Sequence, residues 1–354
     1  MSESAEKHGR IEVDRVELVR SGGERNSMES VLVTGATGFI GVELVRQLSA
    51  MGIVPRLLVR RPHRAALLGS VDVEPVQGDL LAPSSLERAV AGVDTVFHLA
   101  GRASFESYRR LAPTMVDGSI SLARAAAAAG VTHFVHASSL FVHGAASEPI
   151  DAATPPCPQL DYGRAKLEAE ESLADICSNA EMGLACLRLP HVFGPQSILF
   201  RQVRSGVAIF PGRMANRCGQ LHVEDAARVL IAVAAQRWRG RSAVADSGTV
   251  TWREFFDLLH DLYPYFRLIP LPSRLALMGA AAIEPLLSRK TRPTLYTKDT
   301  VVGFNLDLPV APDLVWSDVG DSPRYPTIFE SLPAVLDGYV HYRWRHPLTD
   351  RRWA

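Results

Sequence analysis

Cysteine is scarce: Cys157, Cys177, Cys186 and Cys218 are the only four in 354 residues, and they form neither a CxxC pair nor an evenly spaced framework. Disulfide staples and zinc ribbons are therefore not expected, and a reducing, cytoplasmic setting fits best. A surplus of charge is also lacking, since 38 basic side chains balance 38 acidic ones. Basic clusters such as Arg60, Arg61 and Arg64 are small and local, so nucleic acid is not an expected partner. No apolar run approaches the roughly 18 residues of a membrane span. The best candidate, Leu275 to Ile283, stops at Glu284 and Pro285 and is expected to be a buried or partner-facing helix. Residues 1–27 are polar and lack the apolar segment of a signal peptide, which predicts a disordered leader and a fold beginning near Met28. There is no HxH, HExxH or His/Cys cluster, so no metal is expected.

From Ser30 onward, short apolar runs alternate with helical stretches. SVLVTG leads into a helix from about Gly38 to Met51, VPRLLVR into a helix through HRAALLG, and VEPVQGDL into a helix over SSLERAVAG; DTVFHLAG, the Ala-rich SISLARAAAAAG and the strand HFVHASS follow. Strands that are apolar almost throughout and separated by helices belong to a parallel sheet covered on both faces. The expected fold is α/β, a doubly wound (Rossmann) sheet. Its dinucleotide-binding domain should span residues 28–195, with segments returning at about 220–248. Residues 196–219 and 249–354 should form a smaller substrate-binding lobe.

In VLVTGATGFIGVELV a strand runs into Gly35, Gly38 and Gly41, and an amphipathic helix follows at once. A tight turn there sets free helix N-terminal N–H groups against a pyrophosphate, so dinucleotide binding is expected. The GxxGxxG spacing resembles the extended branch of the short-chain dehydrogenase/reductases, within the NAD-dependent epimerase/dehydratase superfamily. Gly78-Asp79-Leu80, DTVFHLAG, RLPHVFGP and LHVEDAA resemble further signatures of that branch, in the same order, so the likeness covers about residues 30–335. It implies cofactor contacts at Gly35, Thr37, Gly38, Phe39, Ile40 and Gly41, at Asp79 and Leu80 beside the adenine, at Ala100 and Gly101, and at Pro190 and Val192. At the end of the second strand, where an acidic residue would accept bonds from a ribose 2′-hydroxyl, the sequence reads LLVRRP. Arg60, with Arg61, could clamp a 2′-phosphate, which favours NADP(H) with NAD(H) still possible.

Tyr162 and Lys166 sit four residues apart in a helical stretch, DYGRAKLEAEE, and so share a face. A phenol is a poor base at neutral pH, and a nearby ammonium together with an oxidised nicotinamide would favour its ionised form. Alone, this spacing describes an ordinary solvated helix face. After a glycine turn and a strand ending Ala137-Ser138-Ser139, resemblance to the superfamily implies more: Tyr162 as acid/base and cofactor contact, Lys166 as its modulator and a ribose and cofactor contact, and Ser139 as the hydroxyl that orients the substrate oxygen. The family's Asn-Val-x-Gly-Thr element corresponds here to Met115-Val-Asp-Gly-Ser119, and Met115 cannot supply the amide. His98, His133, His136 and His222 are expected to be satisfied structural residues, and His191 to lie near the nicotinamide end of the site.

Leu140 and Phe141 stand where dehydratases of the branch carry an Asp-Glu pair. Cys218-Gly-Gln-Leu221 stands where sugar epimerases commonly carry Arg-Asp-Phe, although Arg213 or Arg217 could substitute. The run LPSRLALMGAAAIEPLLSRKTRPTLYTKDTV resembles the C-terminal lobe of the 3β-hydroxysteroid dehydrogenase-like subgroup. The expectation is an NADP(H)-preferring oxidoreductase that interconverts a ketone and a secondary alcohol on a mainly hydrophobic, sterol-like or keto substrate. A nucleotide-sugar epimerase or dehydratase, or a dinucleotide-binding sensor without turnover, are the alternatives. The family also suggests a homodimer through helices near 120–130 and 162–178.

Overall fold

The computed structural model describes residues 28–287, 297–312 and 314–345. The expected leader, the basic stretch Ser288 to Tyr296 and the last nine residues lie outside them. Alternating strands and helices run β1 (Val31–Thr34), α1 (Phe39–Ala50), β2 (Arg56–Val59), β3 (Glu74–Gln77), α2 (Pro83–Val90), β4 (Thr95–His98), α3 (Tyr108–Ala112), α4 (Gly118–Ala128), β5 (His133–Ser139), α5 (Asp161–Asn179) and β6 (Gly183–Leu189). After β7 (His191–Phe193) come α6 (Ile198–Arg204), β8 (Val207–Phe210), β9 (Arg217–Cys218), β10 (Gln220–His222), α7 (Val223–Ala235) and β11 (Gly240–Ala243). The chain closes with β12 (Val250–Thr251), α8 (Trp252–Leu262), β13 (Arg267–Pro270), α9 (Ser273–Leu287), α10 (Lys298–Phe304), α11 (Leu314–Asp318) and α12 (Ile328–Arg345). Among the described residues no helix is long and apolar enough to cross a membrane.

Seven strands pair in the order β11-β6-β5-β4-β1-β2-β3, every neighbour parallel. This is the doubly wound sheet that the alternation predicts, with its order reversing between β1 and β4. Side chains alternate across it: Val31, Val33, Leu57 and Phe97 pack into one apolar layer with α1 and α7, and Leu32, Leu58, Val96 and Phe134 into the opposite one with α2 and α4. Crossover loops therefore gather at the carboxyl ends of the strands, and the crevice at the switch point opens there.

Four local features depart from the sequence reading. HRAALLG forms a 3-10 helix, Pro62–Leu68, in place of an α-helix. The run GLACLRLPHVF is two strands, because Pro190 has no N–H to donate; β6 stays in the main sheet while β7 turns away to pair with β10. The element containing Met115 is a π-helical turn, Pro113–Asp117, between α3 and α4. Finally, α11 lies in the stretch expected to belong to the smaller lobe, yet Val315, Trp316 and Val319 pack into the layer beside α1 and α7. Trp316 Nε1 anchors it there by donating to the Ala245 carbonyl at 3.0 Å. A separate aromatic core forms where Phe193, Phe200, Phe210, Trp252, Phe255 and Phe256 meet.

Candidate active site

The glycine turn occupies the switch point. Gly35, with φ +74, follows β1, and a Cβ there would lie 2.7 Å from both the Ala100 nitrogen and the Leu99 carbonyl carbon of the chain leaving β4. Only glycine tolerates both the left-handed conformation and that approach. The Gly38 N–H donates to the Gly35 carbonyl at 2.9 Å, and Gly38 then caps α1 with no side chain bonded to the first-turn amides. Buried Gly41 faces back onto that carbonyl. Thr37, Phe39 and Ile40 surround an open helix N-terminus, the arrangement that receives a pyrophosphate. Arg60 and Arg61 are exposed directly after β2. Asp79 and Leu80 follow β3; Asp79 Oδ1 accepts the Leu81 N–H at 3.0 Å, and Leu80 is buried against Gly118. Exposed Gly101 follows Ala100, whose N–H donates to Thr34 Oγ1 at 3.3 Å. All of these positions thus lie along the carboxyl ends of β1 to β4, and the residues present fit a dinucleotide.

A cavity of about 220 Å³ opens beyond that edge, lined by Ser139, Tyr162, Pro190, His191 and Val192 among others. Its walls are otherwise mainly apolar, and Phe105, Phe141, Trp252 and Phe304 supply the aromatic ones. Tyr162 stands in the first turn of α5 with Phe105 and Phe141 edge-on to it at 5.7 and 6.2 Å. The next residue is Gly163, where a Cβ would lie 2.0 Å from the Phe141 carbonyl oxygen. That close approach presses α5 against the loop after β5 and fixes where the phenol emerges. Ser139, the last residue of β5, lines the cavity with Tyr162, and its Oγ accepts the Phe141 N–H at 3.3 Å. Ser138 faces the other way, donating to Glu170 Oε1 at 2.5 Å.

Burial pushes the Tyr162 phenol up to about 12, and the nearby Ser139 hydroxyl opposes this only in part. Lys166 is buried one helical turn on, and its Nζ donates to the Ala137 carbonyl at 2.7 Å. Burial brings its ammonium down to about 8, with nearby Glu170 opposing. Among the chain's own groups, desolvation dominates the phenol's shift, so the phenol carries its proton at neutral pH. Behind the pair, Glu170 and Arg188 form a buried bridge, Nη2 to Oε2 2.8 Å, and Arg188 Nη1 contacts His143 Nε2 at 3.1 Å.

The histidines divide. His98 is satisfied on both ring nitrogens, by Thr34 Oγ1 at 2.7 Å and Ser119 Oγ at 2.8 Å. His133 and His222 each leave one buried ring nitrogen unpaired, and His136 leaves both, so the expectation of satisfied residues holds fully for His98 alone. Met115 is buried; its carbonyl accepts the Ser119 hydroxyl at 2.6 Å. Arg217, the possible diphosphate arginine, is committed to Asp307, Nη2 to Oδ2 2.8 Å, and to the Ser147 carbonyl.

Asp246, just after β11, is 2% exposed, its Oδ2 has no partner, and burial pushes it up to about 8. A carboxyl with a raised folded-state pKa binds its proton more tightly than the unfolded chain does. Its contribution to stability is full below about pH 4 and is lost as pH rises to 8. Asp246→Asn should therefore raise the urea midpoint more at pH 7.5 than at pH 4.5. Equal shifts at the two pH values would contradict this assignment.

A doubly wound sheet with a glycine turn at its switch point and a Ser-Tyr-Lys constellation beside the crevice defines a short-chain dehydrogenase/reductase of the extended kind. The chain belongs to the NAD dependent epimerase/dehydratase family, whose profile matches residues 31–244. Ceramide reductase of Caulobacter vibrioides is 29% identical over 321 residues, which cover 88% of this chain and 92% of that protein. Sterol demethylase protein B of Methylococcus capsulatus is 36% identical over 161 residues, 44% of this chain and 48% of that one. The UDP-glucose 4-epimerase structure from Thermotoga maritima superposes with a TM-score of 0.71 over 89% of this chain and 100% of its own; at 19% identity the likeness is one of fold. The protein is an NAD(P)-dependent enzyme acting on CH–OH or C=O groups.

Proposed function

We propose that this enzyme interconverts a ketone and a secondary alcohol on a mainly hydrophobic substrate, with NADP(H) preferred. The observation that carries the reading is a protonated phenol and a serine hydroxyl together at the wall of an otherwise largely apolar cavity. NADPH, when bound at the glycine turn, supplies the hydride. Ser139 would hold the substrate oxygen and Tyr162 would donate the proton that this oxygen gains on reduction. Lys166, tied to Ala137, would hold the ribose. At about 220 Å³ the cavity is smaller than the roughly 300–1,000 Å³ of drug-sized sites, so it would enclose the reacting end of a longer apolar molecule. A sterol-like or long-chain keto substrate, as in the 3β-hydroxysteroid dehydrogenase-like subgroup, suits such a site. The test is a screen of hydrophobic ketones followed by nicotinamide absorbance; activity on nucleotide sugars alone would overturn the substrate class. The engagement of Arg217 by Asp307 weighs against that class.

Exposed Arg60 after β2 supports the cofactor preference. Charge-assisted bonds to a 2′-phosphate contribute roughly 1.5–3 kcal/mol. Arg60→Glu should therefore lower the NADPH/NADH ratio of kcat/KM by about tenfold or more. An unchanged ratio would remove Arg60 from cofactor selection.

A further inference from the structure

His191 stands on the cavity wall with one ring nitrogen already engaged: its Nδ1 lies 2.7 Å from Gln220 Oε1. The pairing is built into the backbone, because His191 and Gln220 are register partners in the β7-β10 ladder and Gln220 is fully buried. Trp252 edges the imidazole at 4.8 Å, and Phe193 stacks on it at 5.9 Å with an interplanar angle of 13°. The ring is therefore held in place before any ligand arrives. Gln220 Oε1 can only accept, so Nδ1 carries the proton and the opposite nitrogen, Nε2, presents a lone pair. Burial in this apolar, aromatic surrounding keeps the imidazole uncharged, its pKa brought down to about 4. No group among the described residues pairs with Nε2.

The other polar side chains on the wall are largely spent on the protein itself. Ser104 donates to Glu106 at 2.7 Å, Cys218 donates to the Gly219 carbonyl at 3.3 Å, and Ser139, which accepts the Phe141 N–H, and Tyr162 are reserved for the reacting oxygen. Enclosing a lone pair in such a cavity costs free energy unless the ligand brings a donor. Leu189 is the register partner of Ser139, and His191 lies two residues further along the chain. Both residues line the same cavity, Ser139 at the end of β5 and His191 at the start of β7.

We infer that His191 is a specificity-determining residue whose Nε2 accepts a hydrogen bond from a hydroxyl or N–H group that the substrate carries near the reacting carbonyl. The inference rests on the ketone/alcohol reading above and narrows its substrate class from a plain hydrophobic ketone to one bearing a neighbouring donor.

The test measures binding by calorimetry to the NADP⁺-loaded enzyme. The probes are hexyl ketones carrying a hydroxymethyl or hydroxyethyl arm, the methyl ethers of both, and hexyl methyl ketone. Wild type should bind at least one hydroxy ketone about tenfold more tightly than its ether, the value of one satisfied hydrogen bond. His191→Phe should bring that ratio to about one, whereas His191→Gln, which keeps an acceptor, should retain part of it. Equal affinity of wild type for each alcohol and its ether, preference for an ether, or binding of none of the probes would overturn the inference, and so would a His191→Phe enzyme that keeps the preference. The wild-type comparison stands whether or not the variants fold. NADPH oxidation by the same ketones reports separately on the redox reading: turnover without hydroxyl preference sinks the inference alone, and hydroxyl-selective binding without turnover sinks the redox reading alone.

Discussion

Tyr162→Phe should lower ketone reduction by about 10²–10⁴-fold, the contribution of a positioned general acid, while NADPH binds as it does to wild type. The phenol is poised as a donor because burial holds it near 12. The ring itself packs between Phe105 and Phe141, contacts that phenylalanine preserves. Single-turnover kinetics with saturating NADPH separate the two quantities. A Tyr162→Phe enzyme with unaltered kcat would remove Tyr162 from the chemistry, and one that no longer bound NADPH would give the residue a structural role instead.

The second large effect is on stability. Glu170→Ala should destabilise the fold by about 3–5 kcal/mol, the usual cost of stranding one partner of a buried ion pair. Arg188 is 8% exposed and the Glu170 side chain 0%; Glu170 also accepts the Ser138 hydroxyl. Its removal would leave a guanidinium, a hydroxyl and the Lys166 ammonium without their compensating charge. The Lys166 ammonium would become harder to keep, since Glu170 opposes its desolvation. Urea unfolding of Glu170→Ala and of the paired Glu170→Leu/Arg188→Met variant distinguishes the pair from the packing: the double variant should recover part of the loss. A Glu170→Ala enzyme as stable as wild type would show that the bridge contributes nothing net.

The sheet was legible because its strands are continuous apolar runs broken by helical stretches, a pattern that local sequence carries. The glycine turn was equally legible, since Gly35 must be glycine for the reason its position suggests: Leu99 and Ala100 leave no room for a Cβ. Ser139 and Ser138 are neighbours in a strand and so face opposite sides, which puts one at the cavity and the other on Glu170. What could not be read depended on distant partners. Phe105 and Phe304 meet at the cavity from either end of the chain. Trp316 returns to the sheet's core through Ala245, and the low exposure that shifts Tyr162, Lys166 and Asp246 exists only once the layers close. Two local signals were available: the proline that ends β6, and the glycine after Tyr162 that lets the Phe141 carbonyl approach.

Isotope transfer tests the central claim most directly. NADPH deuterated at nicotinamide C4 on the transferred face would be incubated with a reducible hydrophobic ketone and either wild type or Tyr162→Phe. With wild type, the account predicts one deuterium on the carbinol carbon of the secondary alcohol, and with Tyr162→Phe almost no alcohol. Alcohol formed without deuterium from either face of the cofactor, or labelled alcohol formed equally by the two enzymes, would contradict it.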